Sequence, residues 1–107
     1  MKRGDIWTIS GGGYAGKPRP AVIVQDDRFD ATASITVCAF TSDQTEAPLI
    51  RLVVAPNERN GLRSVSRLMV DKITTVSKER LGNRIGCLDA EDVVRLNRAM
   101  MVFLGLA

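Results

Sequence analysis

The sequence predicts a mainly β protein (a β-rich α+β fold): a small, strongly bent antiparallel sheet or barrel closed by one C-terminal helix. Two observations support this prediction. Up to residue 88, apolar residues alternate with polar ones or form short β-branched runs, which is typical of strands. From residue 89 onward they recur at helical spacing instead. The length of 107 residues suits one core, so we expect residues 1–107 to form a single domain.

Seven short segments have the composition of strands, each bounded by residues that favour turns. Asn60-Gly61, between the fourth and the fifth segment, favours a left-handed turn. KERLGN, between the sixth and the seventh, has the length of one helical turn that ends at Gly82. In chain order the predicted strands are DIWTIS, AVIVQ, SITVCAF, PLIRLVVA, SVSRLMV, KITTVS and RIGCL.

The last segment predicts the helix. Asp89 is a suitable N-cap, and Glu91 and Asp92 behind it suit the positive end of the helix dipole. An apolar stripe then follows at helical spacing and should face the core. Its members are Val93, Leu96, Met100 and Phe103.

The composition excludes several classes of protein. Because the chain has no histidine, it lacks the usual near-neutral general acid or base and the usual transition-metal ligand. Its two cysteines, Cys38 and Cys87, are not spaced as a zinc-site pair, and each lies in an apolar stretch where we expect a reduced core thiol. We therefore expect no metal and no cofactor. The net charge of +3 is compatible with a nucleic-acid partner without identifying one.

The sequence shows no membrane or export segment. No apolar run approaches the roughly 18 residues of a membrane helix. The N-terminal MKRGDIW is not followed by an apolar stretch of signal-peptide length. We therefore expect a cytoplasmic protein without a membrane contact.

A proline-flanked arginine is the first candidate functional residue. Pro18 and Pro20 restrict the backbone on both sides of Arg19 and remove two possible ladder donors, so Arg19 should lie at the start or edge of a strand in a fixed direction. A cation held in this way suits a fixed anionic partner. The alternative is that the two prolines only end a loop.

Four further residues near this motif and near a strand end are candidates. GGGYAG could carry Tyr14 to a base and Lys17 to a phosphate, or it could be a flexible hairpin connection. Thr41 and Ser42 follow a buried strand, where hydroxyls become accessible on a rigid backbone, although Ser42 could also simply begin a turn.

A basic stretch lies on and around the fourth and fifth predicted strands. It would follow a phosphate backbone if its members shared a face, and would otherwise be scattered solvated cations. It comprises Arg51, Arg59, Arg63 and Arg67.

Several motifs, in order over nearly the whole chain, resemble the MazF/PemK family of toxins from bacterial toxin–antitoxin modules. They are RGDIW, KPRPAVIVQDD, AFTS, VDKITTVSKERLGNRIGCL and a terminal helix ending in LGL. The resemblance implies the CcdB/PemK-like fold, an SH3-like barrel. It also implies a homodimeric, metal-independent endoribonuclease that cuts single-stranded RNA (messenger, transfer or ribosomal) at short preferred sequences, and a cognate antitoxin that binds across the dimer.

The resemblance also implies roles for individual residues. The family's catalytic arginine and threonine correspond to Arg19 and Thr41, so that Arg19 would stabilise the scissile phosphate and Thr41 would orient a phosphate oxygen or the nucleophile. Asp71 aligns with an acidic position often found in the family and is the candidate general base; its alternative is an ordinary ion pair with Lys72 or an arginine. The candidate RNA-binding residues are Lys17, Tyr14, Ser42, Arg67 and Lys72.

Two departures from the family bear on substrate choice. The loop before the RP motif is short and rich in glycine, and Thr74 occupies a position where a basic residue is common. A second function stays open, because CcdB-like toxins share the fold but poison DNA gyrase without cleaving RNA. That activity relies on a tryptophan in the C-terminal tail, whereas this chain ends FLGLA and its one tryptophan is Trp7. An inert RNA- or antitoxin-binding module would be favoured if Arg19 were buried in an ion pair.

Overall fold

The computed structural model describes residues 1–11 and 17–107. In the described part, seven strands precede one α-helix, and three single 3₁₀ turns lie at Asp27–Phe29, Val70–Lys72 and Lys78–Arg80. The elements are β1 (Asp5–Ile9), β2 (Arg19–Ile23), β3 (Ser34–Thr41), β4 (Arg51–Val54), β5 (Ser66–Met69), β6 (Thr74–Ser77), β7 (Leu81–Cys87) and α1 (Ala90–Phe103). Among the described residues, no helical segment has both the length and the hydropathy of a membrane span.

The strands form one antiparallel sheet that bends at β3. The order is β4-β5-β3-β2-β1-β7, and β6 also pairs with β3. The first half of β3 pairs with β6, whereas its last two residues, Phe40 and Thr41, pair with Leu68 and Arg67 of β5. No ladder joins β4 to β7 among the described strands, so the sheet is open. The prediction of a mainly β protein with a strongly bent antiparallel sheet and a C-terminal helix is confirmed.

Strand β2 lies in the middle of this sheet and is buried on both faces. Val22 packs in the cluster that α1 covers, and Ala21 and Ile23 pack in a second cluster on the opposite face, with Trp7 against them. A strand covered on both sides needs apolar residues at successive positions. This explains why AVIV is a continuous apolar run instead of an alternating one.

Most strand ends differ from the predicted ones by a few residues, and two of the differences have a clear physical reason. The turn in KERLGN ends at Arg80, and Gly82 lies inside β7, where an added Cβ would stand 2.4 Å from Thr8 Oγ1. Gly82 is therefore explained by the close approach of β1, not by a helix end. The fourth strand begins only at Arg51, because the amides of Ile50 and Arg51 both bond to the carbonyl of Ala47 and close a turn there.

Helix α1 begins where the sequence predicts, with Asp89 at the N-cap, although the Asp89 carboxylate accepts from Asn57 Nδ2 (3.0 Å) instead of capping the first turn. Leu96 and Ala99 are buried against the sheet. Phe103, however, is 46% exposed, so its assignment to the core stripe is wrong. The last residues of the chain form an exposed set that we call the C-terminal apolar surface: Met101, Val102, Phe103, Leu104 and Leu106.

The two cysteines are free and differ in their surroundings. Cys38 is fully buried in β3, and its burial, together with the negative charge of Asp71, raises the pKa of the thiol to about 12. Cys87 is half-buried, and Arg59 Nε lies 3.4 Å from its sulfur. The expectation of a core thiol is confirmed for Cys38 and wrong for Cys87.

Candidate active site

A cleft of about 710 Å³ lies at the edge of the sheet where β2 begins and β3 ends. Because β2 and β3 are antiparallel neighbours, the start of one and the end of the other meet at this edge. The cleft brings together four of the predicted site residues. These are Lys17, Arg19, Thr41 and Ser42.

Arg19 lies at the first position of β2 with its side chain exposed. It pairs with Ile9 of β1, but the ladder to β3 starts only at Ala21, so Arg19 projects beyond the β2–β3 pairing. Within residues 1–11 and 17–107 its guanidinium has no ion-pair partner. The two flanking prolines therefore hold an available cation at the cleft, which opposes the interpretation as an inert module.

Thr41 is the last residue of β3 and is half-buried. Its Oγ1 accepts a hydrogen bond from the backbone amide of Asp43 at 3.1 Å. A hydroxyl that accepts from the chain keeps its own hydrogen available for another acceptor. Thr41 can therefore donate to a ligand in the cleft, and the exposed Ser42 adjoins it.

The opposite wall of the cleft is the segment 61–66, which sequence reasoning did not recognise as a unit. It contributes Arg63, Ser64 and Ser66. Gly61 anchors it: its φ is +67°, and an added Cβ would stand 2.1 Å from the carbonyl oxygen of Ile85 in β7. Only glycine fits such an approach between two backbones. The Asn60-Gly61 pair was the available signal for this turn, but not for what the turn packs against.

The buried side chain of Asn60 fixes the loop that leads into this wall. Its Oδ1 accepts from the amides of Asn57 (3.0 Å) and Leu62 (3.0 Å), and its Nδ2 donates to the carbonyl of Ala55 (2.9 Å). A buried amide with these partners is satisfied and fixes the loop around it. The wall is therefore rigid before any ligand binds.

The charges in the cleft are all of one sign. Lys17, Arg19 and Arg63 line it, and its described lining includes no carboxylate. In the described ranges no group of three or more acidic, cysteine or histidine residues is arranged to hold a metal ion. Cations together with hydroxyl donors are the groups that bind a phosphate diester.

Three other predicted residues lie outside this lining. Asp71, in the turn Val70–Lys72, forms a two-point ion pair with Arg51, with Nε–Oδ1 at 3.0 Å and Nη2–Oδ2 at 3.3 Å. The hydrogen bond from Arg51 lowers the pKa of Asp71 below its ordinary value. This contact corresponds to the ion-pair alternative. Lys72 is exposed on the same turn, and the Arg67 side chain is only 14% exposed. Tyr14 lies outside the described residues.

Comparison with known proteins identifies one family. Residues 2–104 match the family described as PemK-like, MazF-like toxin of type II toxin-antitoxin system. The chain is 55% identical over 108 residues to the probable endoribonuclease MazF of Mycolicibacterium smegmatis, covering 100% of this chain and 99% of the relative. It is 31% identical over 113 residues to the endoribonuclease EndoA of Bacillus subtilis, covering 99% and 96% of the two chains.

Solved structures share the fold. An endoribonuclease in complex with its cognate antitoxin from a mycobacterial species superposes with a TM-score of 0.83 at 24% identity and covers 100% of this chain and 97% of that one. A MazE-MazF structure from Deinococcus radiodurans gives a TM-score of 0.80 at 15% identity, with 100% and 97% covered. These likenesses confirm the architecture described above.

Proposed function

Because the chain belongs to the PemK-like, MazF-like family of type II toxins, and its relatives are endoribonucleases, we propose that it is a toxin that cuts single-stranded RNA at preferred sequences without a metal ion. The observation that carries this proposal is the cleft that combines Arg19, Lys17 and the Thr41 hydroxyl and has no carboxylate in its described lining. Such a set can stabilise a phosphate whose charge increases, but it offers no ligand set for a cation. With cellular RNA as substrate, the activity is cytoplasmic.

The cleavage we propose is an internal transesterification. The RNA 2′-hydroxyl gives its proton to water as its oxygen attacks the adjacent phosphorus. The bond from phosphorus to the 5′-oxygen then breaks, and that oxygen takes a proton from water, so the products carry a 2′,3′-cyclic phosphate and a 5′-hydroxyl. Arg19 stabilises the charge on the phosphorane oxygens, and Thr41 donates a hydrogen bond to one of them. Because a guanidinium keeps its proton near neutral pH, Arg19 acts through its charge and not as a proton donor. Lys17 and Ser42 contact the neighbouring backbone of the RNA.

Incubation of the protein with a mixed single-stranded RNA pool in excess EDTA tests this proposal. We expect cleavage with 2′,3′-cyclic phosphate and 5′-hydroxyl ends, and sequencing of those ends gives the preferred site. Loss of cleavage in EDTA with recovery on adding Mg²⁺ would contradict the metal-free mechanism. Intact RNA under both conditions would contradict the nuclease function itself.

The fold does not favour the gyrase-poisoning alternative, because both classes of toxin share it, and two other observations count against that alternative. The one tryptophan, Trp7, is half-buried in β1 and packs against the second core cluster, so it does not supply an exposed C-terminal anchor. The relatives described above are named as endoribonucleases.

Asp71→Asn separates the two interpretations of that carboxylate. We expect cleavage within about twofold of the unmodified protein, and a free energy of unfolding lower by about 2 kcal/mol at pH 7, because Arg51 is left without its partner. Since the folded pKa is lowered from 3.8, the difference should be full above that pH and disappear as the pH falls through the folded value. Chemical denaturation across pH measures this.

The matched control is Asp30→Asn, which removes a more exposed carboxylate paired with Lys78. It should change stability by less than about 0.5 kcal/mol. If Asp71→Asn instead abolished cleavage without loss of stability, the general-base role would be favoured after all.

We also propose that the protein is a homodimer and that a cognate antitoxin is its second partner. The C-terminal apolar surface is the candidate self-association face, because two of its members, Phe103 and Leu106, are 46% and 70% exposed. Sedimentation should give twice the 11.7 kDa of one chain. The double substitution Phe103→Glu and Leu106→Glu should give the monomer mass, whereas Phe29→Glu, at another exposed phenylalanine, should leave the dimer intact. A dimer that survives the double substitution would place the interface elsewhere.

A further inference from the structure

Arg67 lies directly opposite Thr41 in the ladder between β3 and β5. Its guanidinium reaches across the strand end to the segment that follows Thr41. Nη1 donates to the backbone carbonyl of Asp43 at 3.4 Å, and Nη2 lies 3.4 Å from Glu46 Oε1. The arginine therefore contacts both ends of the segment 43–46.

The same segment is closed upon itself. The amide of Asp43 donates to Thr41 Oγ1 at 3.1 Å, and the Asp43 carboxylate accepts from the Thr45 amide (3.3 Å) and the Thr45 hydroxyl (2.9 Å). Arg67 thus donates to the carbonyl of Asp43, and the amide of Asp43 donates to the hydroxyl of Thr41. Asp43 therefore links the arginine to the hydroxyl in the cleft.

We propose that Arg67 is a positioning residue that fixes the direction of the Thr41 hydroxyl through Asp43; this inference rests on the proposed nuclease function. When Asp43 N–H occupies one lone pair of Oγ1, the hydroxyl hydrogen is left to point at the phosphate. Without Arg67 the segment 42–46 has fewer contacts to the sheet, and the hydroxyl can rotate. Donors that are already oriented are the ones that stabilise a transition state effectively.

The burial of Arg67 argues against its earlier interpretation as an RNA contact. Its side chain is only 14% exposed, and it is not among the residues that line the cleft. Glu46, by contrast, is 85% exposed, so the ion pair with it contributes little. The contact that matters is the charged hydrogen bond to the Asp43 carbonyl.

Single-turnover kinetics of Arg67→Gln test the inference. We expect the rate of the chemical step to fall roughly ten- to hundredfold, with the half-saturating RNA concentration unchanged within twofold. Arg67→Lys should recover part of the rate, because a lysine can satisfy one of the two contacts. Glu46→Gln, at the exposed end of the same segment, should stay within twofold and serves as the control.

A double substitution distinguishes positioning from a merely structural role. If Arg67 acts through the Thr41 hydroxyl, adding Arg67→Gln to Thr41→Val should cause less than a twofold further loss. If the two losses multiply, or if Arg67→Gln weakens RNA saturation at an unchanged rate, the inference is overturned.

Hydrogen exchange of the Asp43 amide gives a readout that does not depend on activity. Arg67→Gln should accelerate this exchange while the amides of β2 keep their protection. Unchanged Asp43 exchange would overturn the inference. Failure of the two proposals is distinguishable, because an unmodified protein that leaves all RNA intact contradicts the nuclease function, whereas an Arg67→Gln protein that cuts at full rate contradicts only the role of Arg67.

Discussion

Replacing Arg19 with alanine should lower kcat/KM for RNA cleavage by about a hundred- to a thousandfold, the size of effect seen when a donor to a developing oxyanion is removed. The reason is local. Arg19 is exposed at the cleft, and no ion-pair partner in the described chain competes for its charge. Cleavage of a fluorescent RNA in EDTA measures the loss.

Arg19→Ala should leave the folding stability almost unchanged. Because Arg19 makes no described ion pair, the melting temperature should stay within about 2 °C, which corresponds to a change below roughly 0.5 kcal/mol. Arg28→Ala is the matched control, since it removes the same charge from the exposed turn Asp27–Phe29. Arg19→Lys should retain only part of the activity, because lysine cannot make the two-point contact. Equal rates for Arg19→Ala and Arg28→Ala would contradict the proposed role.

Gly61→Ala should cost at least about 3 kcal/mol of folding stability and lower the melting temperature by more than about 10 °C. Two effects add. The residue has a φ of +67°, and the new Cβ would stand 2.1 Å from a backbone oxygen of β7 that cannot move aside alone. Thermal unfolding followed by circular dichroism measures the cost.

Gly105→Ala provides the control for the backbone conformation. Its φ is +73°, but nothing lies within 4 Å of the added Cβ. It should cost about 1 kcal/mol, the strain of a left-handed alanine alone. The difference in folding stability between the two variants then isolates the clash with β7. Equal losses of stability would show that β7 moves aside at little cost.

Much of the fold follows from local sequence pattern. The β-branched runs placed the seven strands, and Asp89 marked the start of the helix. The pattern could not show that Phe103 lies beyond the edge of the core, because helical spacing identifies a face and not how far along it the sheet extends. The assignment of Gly82 to a turn end failed for another reason: local pattern does not show that Thr8 of β1 lies close to it.

The candidate site was predictable where it depends on strand order and unpredictable where it depends on register. Arg19 begins one strand and Thr41 ends the next, so antiparallel pairing brings them to one edge. The partner of Asp71 is Arg51, twenty residues earlier and across the β4–β5 ladder, which no local spacing reveals. The wall at 61–66 depends on a backbone contact with β7, which is equally invisible in one sequence.

Because β3 pairs with three other strands, the cleft at its end should persist until the whole molecule unfolds. This strand hydrogen-bonds to β2, β5 and β6, so the strand as a whole cannot detach unless three ladders break together, and its last two residues are held by β5. Segments of this kind open only in global unfolding, whereas peripheral ones fray at lower cost. The edge that carries Arg19 and Thr41 is therefore built on the most cooperative part of the chain, and the protein should lose its activity and its tertiary structure at the same temperature.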